Sequence, residues 1–420
     1  MSRSISSILS ERKTSIIIRS KETNINLVRT VFPISRLYKG KQARVYDRPG
    51  ETSNNTILYE SYRFFGTSYY IQILPSITFP GGITTPLKYS NGACLNGNII
   101  YFAANLTFNN TCMIEPETKT FITGIFTFAS SPLDFYGGCI TENYSPMSVL
   151  VSHNFSQAYN LQNNQSILES TSIPGTEKSA LMVKYFVKIN GSTSNIIHYF
   201  IPQNFSRFIF FDENASPKYQ QVGPSYFSPF GLTPSLLPRR TACSTLDNER
   251  IIIKNPVSAT NCVITVANLP ITNSTTFSDV TPPFTDDIGK LTLMPDGRIF
   301  LTPRGATNIR IFDPQTNTIT TGPAVNNTSA DSYFSSVVLP NGRILLVPFN
   351  STIFEIYDPV TNTVIPFGNA PGSGAFTDAV VAGNGDVYFV PGSVNQQYVL
   401  RMDLFNIGPG NINRRVYMFT

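Results

Sequence analysis

The chain has no tryptophan, only two histidines, an odd number of cysteines and few charges, 14% of its 420 residues. Each shortage closes a route to function. The histidines, His153 and His198, supply too few candidates for a Ser-His-Asp or Cys-His catalytic set. A metal held by both would still need a further ligand that neither neighbourhood offers. HExxH, a phosphate-binding glycine loop and a GxGxxG fingerprint are absent from the sequence. The five cysteines are Cys94, Cys112, Cys139, Cys243 and Cys262. Spacing would pair Cys94 with Cys112 and Cys243 with Cys262. If each pair flanks a middle strand, however, its members stand about 9–10 Å apart, beyond the reach of a disulfide. Reduced, apolar-like thiols are expected instead. No apolar run is long enough to span a membrane, and Ile16-Ile17-Ile18 is too short for the core of a secretory signal. The many Asn-x-Ser/Thr triplets then reflect an Asn- and Thr-rich composition, and a cytoplasmic setting is expected.

What the chain does have is repetition. Residues 291–320 read LTLMPDGRIFLTPRGATNIRIFDPQTNTIT, and residues 336–365 read SVVLPNGRILLVPFNSTIFEIYDPVTNTVI. Asp296-Gly297 and Asn341-Gly342 lie 45 residues apart, as do Asp313 and Asp358 of the two DPxTNT turns. Asn384-Gly385 continues the series downstream, and Asn96-Gly97 with Glu115-Pro116-Glu117-Thr118 matches it upstream. Asn-Gly and Asp-Gly between apolar runs predict hairpins with tight primed turns, and Pro303 and Pro348 should end the strands that follow. Ile299, Leu301, Ile344 and Leu346 read as the apolar members of alternating strands. A period of this length, with four strands per unit, is that of a propeller blade. Starts near 96, 143, 190, 247, 296, 341 and 384 predict a single all-β propeller of seven blades.

The charge is unevenly placed. Residues 1–50 hold eleven basic and three acidic residues, so this segment carries +8 and the other 370 residues −3 of the net +5. Arg12, Lys13, Arg19, Lys21, Arg29, Arg36, Lys39, Lys41 and Arg44 form the body of this arm. An electrostatic tether is expected, to other proteins such as capsid or assembly components, or to nucleic acid. Residues 51–85 read as strands leading into the propeller, which occupies 86–420. The last repeat shows three clear strands, so its fourth should come from the segment before residue 85 or from the tail at 413–419. The earlier segment is the better candidate.

One acidic constellation stands out. Asp286 and Asp331 each lie ten residues before a repeat turn, which puts both at the start of an innermost strand, near the mouth of the central channel. Oxygen ligands so placed could hold Ca²⁺, although opening a strand is the commoner duty of an aspartate there, and no cofactor is expected.

The L-P-[DN]-G-R-I … I-[FY]-D-P-x-T-N-T phrase resembles kelch-type propellers, including the central domain of galactose-oxidase-like proteins. The PDGRIF half is similar to gluconolactonase-type propellers. The chain departs from kelch repeats in lacking tryptophan and in having one isolated Gly137-Gly138 doublet. The composition is similar to that of proteins encoded by large AT-rich DNA viruses, which implies host cytoplasm or virion. The resulting expectation is a non-enzymatic protein-interaction or structural module, such as a virion or assembly component. The alternatives are a lactonase-like hydrolase with a channel-mouth Ca²⁺, and a glycan-binding propeller.

Overall fold

A computed structural model describes residues 31–33, 58–60, 69–78 and most of 89–402, without interruption over 287–339 and 341–382. The described residues contain strands and no helix. Six antiparallel four-stranded sheets account for most of them, and in five of these the strands follow one another in chain order. The innermost strands touch in a closed cycle: Tyr89–Leu95, Phe135–Ile140, Ser179–Ile189, Thr241–Ser244, Ile288–Leu293, Tyr333–Val338, Phe376–Val381, and back to Tyr89–Leu95. This is a β-propeller. In the cycle, the Phe135–Ile140 strand pairs, among the described residues, with Ser148–Ser152, and a further pair, Ala158–Asn160 with Gln165–Ile167, lies beside Ser148–Ser152. Val31–Pro33 pairs with Leu58–Glu60.

The sixth four-stranded sheet is built from both ends of the chain. Phe376–Val381, Val387–Pro391 and Gln396–Met402 take their fourth strand from Tyr69–Thr78, with Ile71 opposite Leu400 and Tyr69 opposite Met402. Pairing the first strand of the ring with the last gives both an edge partner, and so closes the circle.

The repeat phrase can now be read as geometry. In the Met294–Arg298 turn, Gly297 N–H donates to Met294 O (3.0 Å) and Met294 N–H to Arg298 O (2.8 Å). The Leu339–Arg343 turn repeats this pattern. Positive φ falls on Gly297 (89°), Gly342 (81°) and Gly385 (87°), and not on Asp296 or Asn341. These are therefore not the two-residue primed turns expected from Asn-Gly and Asp-Gly. They are three-residue loops in which glycine takes the left-handed bulge position after a type I turn. The aspartate or asparagine instead caps its own turn: Asp296 and Asn341 each accept from the backbone N–H two residues on, at 3.1 Å. In the DPxTNT turns, Asn317 (φ 54°) and Asn362 (φ 53°) take the left-handed position, where asparagine is tolerated.

The second strands also correct a sequence expectation. Ile299–Pro303 and Ile344–Pro348 do not alternate apolar with polar, because every residue in both is buried. Each sheet is covered on both faces by its neighbours, so both side-chain rows of a middle strand are core. Ile344 and Leu346 pack toward Met294, Phe300 and Ile309 of the preceding sheet. Leu345 and Val347 pack toward Phe376, Val387 and Phe389 of the following one. Each such side chain contributes about 1.5–3 kcal/mol of burial, so the ring is held by the seams between its sheets.

The face opposite the glycine turns is stitched by backbone. Arg304 N–H donates to Asp287 O (2.9 Å), and Ser332 N–H of the next sheet to Arg304 O (2.7 Å). Phe349 N–H donates to Ser332 O, Ala375 N–H to Phe349 O and Gly392 N–H to Ala375 O, each at 2.8 Å. The approach is tight enough that a Cβ on Gly289 would sit 2.4 Å from Phe334 O. The outermost strands Thr318–Ala324, Thr363–Asn369 and Tyr69–Thr78 contain Pro323, Pro366 and Pro75. Proline lacks the backbone donor and is tolerated at a sheet edge.

Candidate functional site: the channel and its mouth

The innermost strands bring polar side chains to a common level. Ser335 lies opposite Val347 and Asp378 opposite Val390, so both hold the same place in successive sheets. Asp378 therefore sits level with Ser335, whereas Asp331 precedes its innermost strand. Asp378 is buried, and Lys290, two sheets away, reaches both its carboxylate oxygens at 2.9 and 3.0 Å. Ser335, on the strand between them, donates a further hydrogen bond to the same carboxylate. The Lys290 side chain is 33% exposed and that of Asp378 4%. Below this pair, Thr302 donates to Lys290 O (2.7 Å), and Thr292 shares a hydrogen bond with Ser336 (2.8 Å). The channel wall is thus cross-linked over three adjacent sheets.

At the mouth, residues from two successive repeats meet. Arg304 follows the Ile299–Pro303 strand, and Asp287 and Asp331 each precede an innermost strand. The Arg304 Nε donates to Asp331 at 2.5 Å and lies 3.6 Å from Asp287. The guanidinium sits over the Phe334 ring at 5.0 Å, and Phe334 stacks on Phe349 at 3.7 Å. Asp331 has φ 57°, a conformation that aspartate accepts more readily than most residues.

Behind the mouth lies a second polar group. Glu355 is fully buried and accepts hydrogen bonds from Tyr333 Oη and from the backbone and side chain of Asn326. Burial, and then the bond to Glu355, push the Tyr333 hydroxyl far above its ordinary range, so it remains a donor. Ser351 completes the set by donating to Tyr333 Oη at 3.1 Å. Glu355 thereby fastens the segment that leads to Asp331.

The expected site residues fare differently. Asp331 is where the repeat put it, but Arg304 engages it. Asp286 lies outside the described residues, as do all nine basic residues of the arm, Arg12 to Arg44. Among the described residues, no group of three or more His, Cys, Asp or Glu is placed to hold a metal. Cys243, half-buried, and Cys262, buried, lie on the two strands that flank Arg250–Pro256. Sequence reasoning missed Arg304, Asp287 and Lys290. Arg304 carried a usable signal: Pro303-Arg304, Pro348-Phe349 and Pro391-Gly392 are equivalent steps of the repeat, and only one of them is charged.

No protein-family model and no curated protein sequence matches the chain. Solved structures do. A streptogramin B lyase superposes with a TM-score of 0.57 at 10% identity, over 80% of this chain and 98% of its own. Virginiamycin B lyase from Staphylococcus aureus gives 0.57 at 8% identity, over 79% and 99%. A chain of the mitotic checkpoint complex gives 0.52 at 9% identity, over 92% and 98%. At such identities the similarity is one of fold.

Proposed function

We propose that this chain is a non-enzymatic, kelch-like β-propeller of seven blades that serves as a protein-interaction or structural module. Its basic first fifty residues tether it to an acidic protein surface, in a virion or assembly of a large AT-rich DNA virus. The carrying observation is the charge division, +8 in residues 1–50 against −3 in the rest. The channel chemistry supports the same reading: Lys290 and the buried Asp378 answer each other's charge, which leaves this pair in a structural role. The mitotic checkpoint complex, as a protein assembly, offers a precedent for this fold among protein partners.

The test is recovery of partners from the native source by the full-length chain. It is compared with a full-length variant in which Arg12, Lys13, Arg19, Lys21, Arg29, Arg36, Lys39, Lys41 and Arg44 are changed to Gln. Exposed ion pairs contribute about 0.2–1 kcal/mol each, so at least a tenfold loss of recovery is expected. The same loss should follow for the unmodified chain in about 0.5 M salt, where screening is severe. Equal recovery by both chains would overturn the tether.

A further inference from the structure

We infer that the channel mouth is a binding subsite for a neutral carbohydrate, formed by Asp287, Arg304 and Asp331 beside the Phe334–Phe349 stack. The inference is independent of the arm. Arg304 is held by one nitrogen only: Nε donates to Asp331, and the two terminal nitrogens make no hydrogen bond with any described residue. Its side chain is 22% exposed and held over the Phe334 ring, so four N–H groups remain for a ligand on a pre-positioned plane. Beside them lie the carboxylates of Asp287 and Asp331, 41% and 34% exposed, whose one side-chain partner among the described residues is that same Nε.

Oriented donors next to open acceptors suit a group that both donates and accepts, which is a hydroxyl. Two neighbouring sugar hydroxyls can span a carboxylate and a guanidinium together. Charged ligands suit the site less well. An anion meets two carboxylates against one guanidinium, and a cation meets the guanidinium itself. The half-buried Phe349 adds an aromatic edge of the kind that packs against sugar C–H groups. Protein hot spots instead use large apolar anchors. The one exposed large apolar residue among those described is Val360, 53% exposed, in a DPxTNT turn on the opposite face.

The experiment presents the full-length chain with immobilised neutral oligosaccharides ending in glucose, galactose, mannose or N-acetylglucosamine, and with sialylated counterparts. Saturation-transfer NMR follows for any that bind. Binding of a neutral oligosaccharide is expected, weakened at least tenfold by Arg304→Lys, which keeps the charge but loses the planar fork. Asp331→Asn keeps a side chain suited to positive φ and should weaken binding as much, with the melting temperature held within a few degrees. Binding to sialylated glycans alone, to none, or equally by the parent and both variants would overturn the inference. Should a variant fail to fold, phenylglyoxal modification of Arg304 in the parent chain replaces it. A bound neutral oligosaccharide should protect Arg304, and unprotected modification would overturn the inference. The arm-neutralised chain should bind sugar unchanged, which separates this outcome from failure of the tether.

Discussion

Arg298 and Arg343 hold the same position one repeat apart and do different work. Arg298 turns back on Asp296 of its own loop, at 2.6 and 2.8 Å, and both side chains are about a third exposed (37% and 35%). Arg343 crosses to Asp358 of the DPxTNT turn at 3.0 Å, where the carboxylate is 2% exposed. Arg343 thus locks two turns of one sheet together, which gives a physical reason for the two halves of the repeat phrase to travel together. Arg343→Ala should cost about 2 kcal/mol, since it removes the guanidinium from a buried carboxylate that also accepts from the Val360 and Thr361 N–H groups. Arg298→Ala should stay within about 0.5 kcal/mol. Urea unfolding of the two variants checks this, and equal losses would refute the division of labour. The sequence places both arginines two residues after the turn's first polar residue, but that residue is Asp296 in one repeat and Asn341, which has no carboxylate, in the other. Arg343 therefore has no acid in its own loop and turns to Asp358, an approach across the sheet that no spacing encodes.

At the scale of the element, strands and turns were legible because their signals are local. Proline ends the strands at Pro303 and Pro348, glycine marks the hairpin turns at Gly297 and Gly342, and asparagine marks the DPxTNT turns. The turn class was misread because a dipeptide does not state how many residues precede it in the loop. The alternation was misread because burial on both faces depends on the neighbouring sheets. Gly289 belongs to this scale as well, since its strand must pass close to Phe334 of the next. Gly289→Ala would drive a methyl against backbone, and a loss of about 3 kcal/mol is expected, at the upper end of overpacking. A Gly289→Ala chain that melts like the parent would show that the seam can widen.

For the whole molecule, the 45-residue period exposed the architecture, while the mouth stayed hidden because its parts come from different repeats. Asp287 and Arg304 belong to one repeat and Asp331 to the next, 27 residues beyond Arg304. Nothing in the order of residues announces that they meet. The ring itself depends on the pairing of Tyr69–Thr78 with Gln396–Met402. A chain beginning after Thr78 should lose its single cooperative melting transition, because the last sheet is then left with an open edge and an uncovered core. Circular dichroism on heating would show this, and an unchanged transition would mean that closure contributes little.

The prolines of the outermost strands reach beyond the single molecule. Pro75, Pro323 and Pro366 interrupt the row of backbone donors on three blade rims. A strand from another copy could not zip along these rims, so the protein can be crowded with its own kind, as in a dense assembly, without its blades growing into shared sheets.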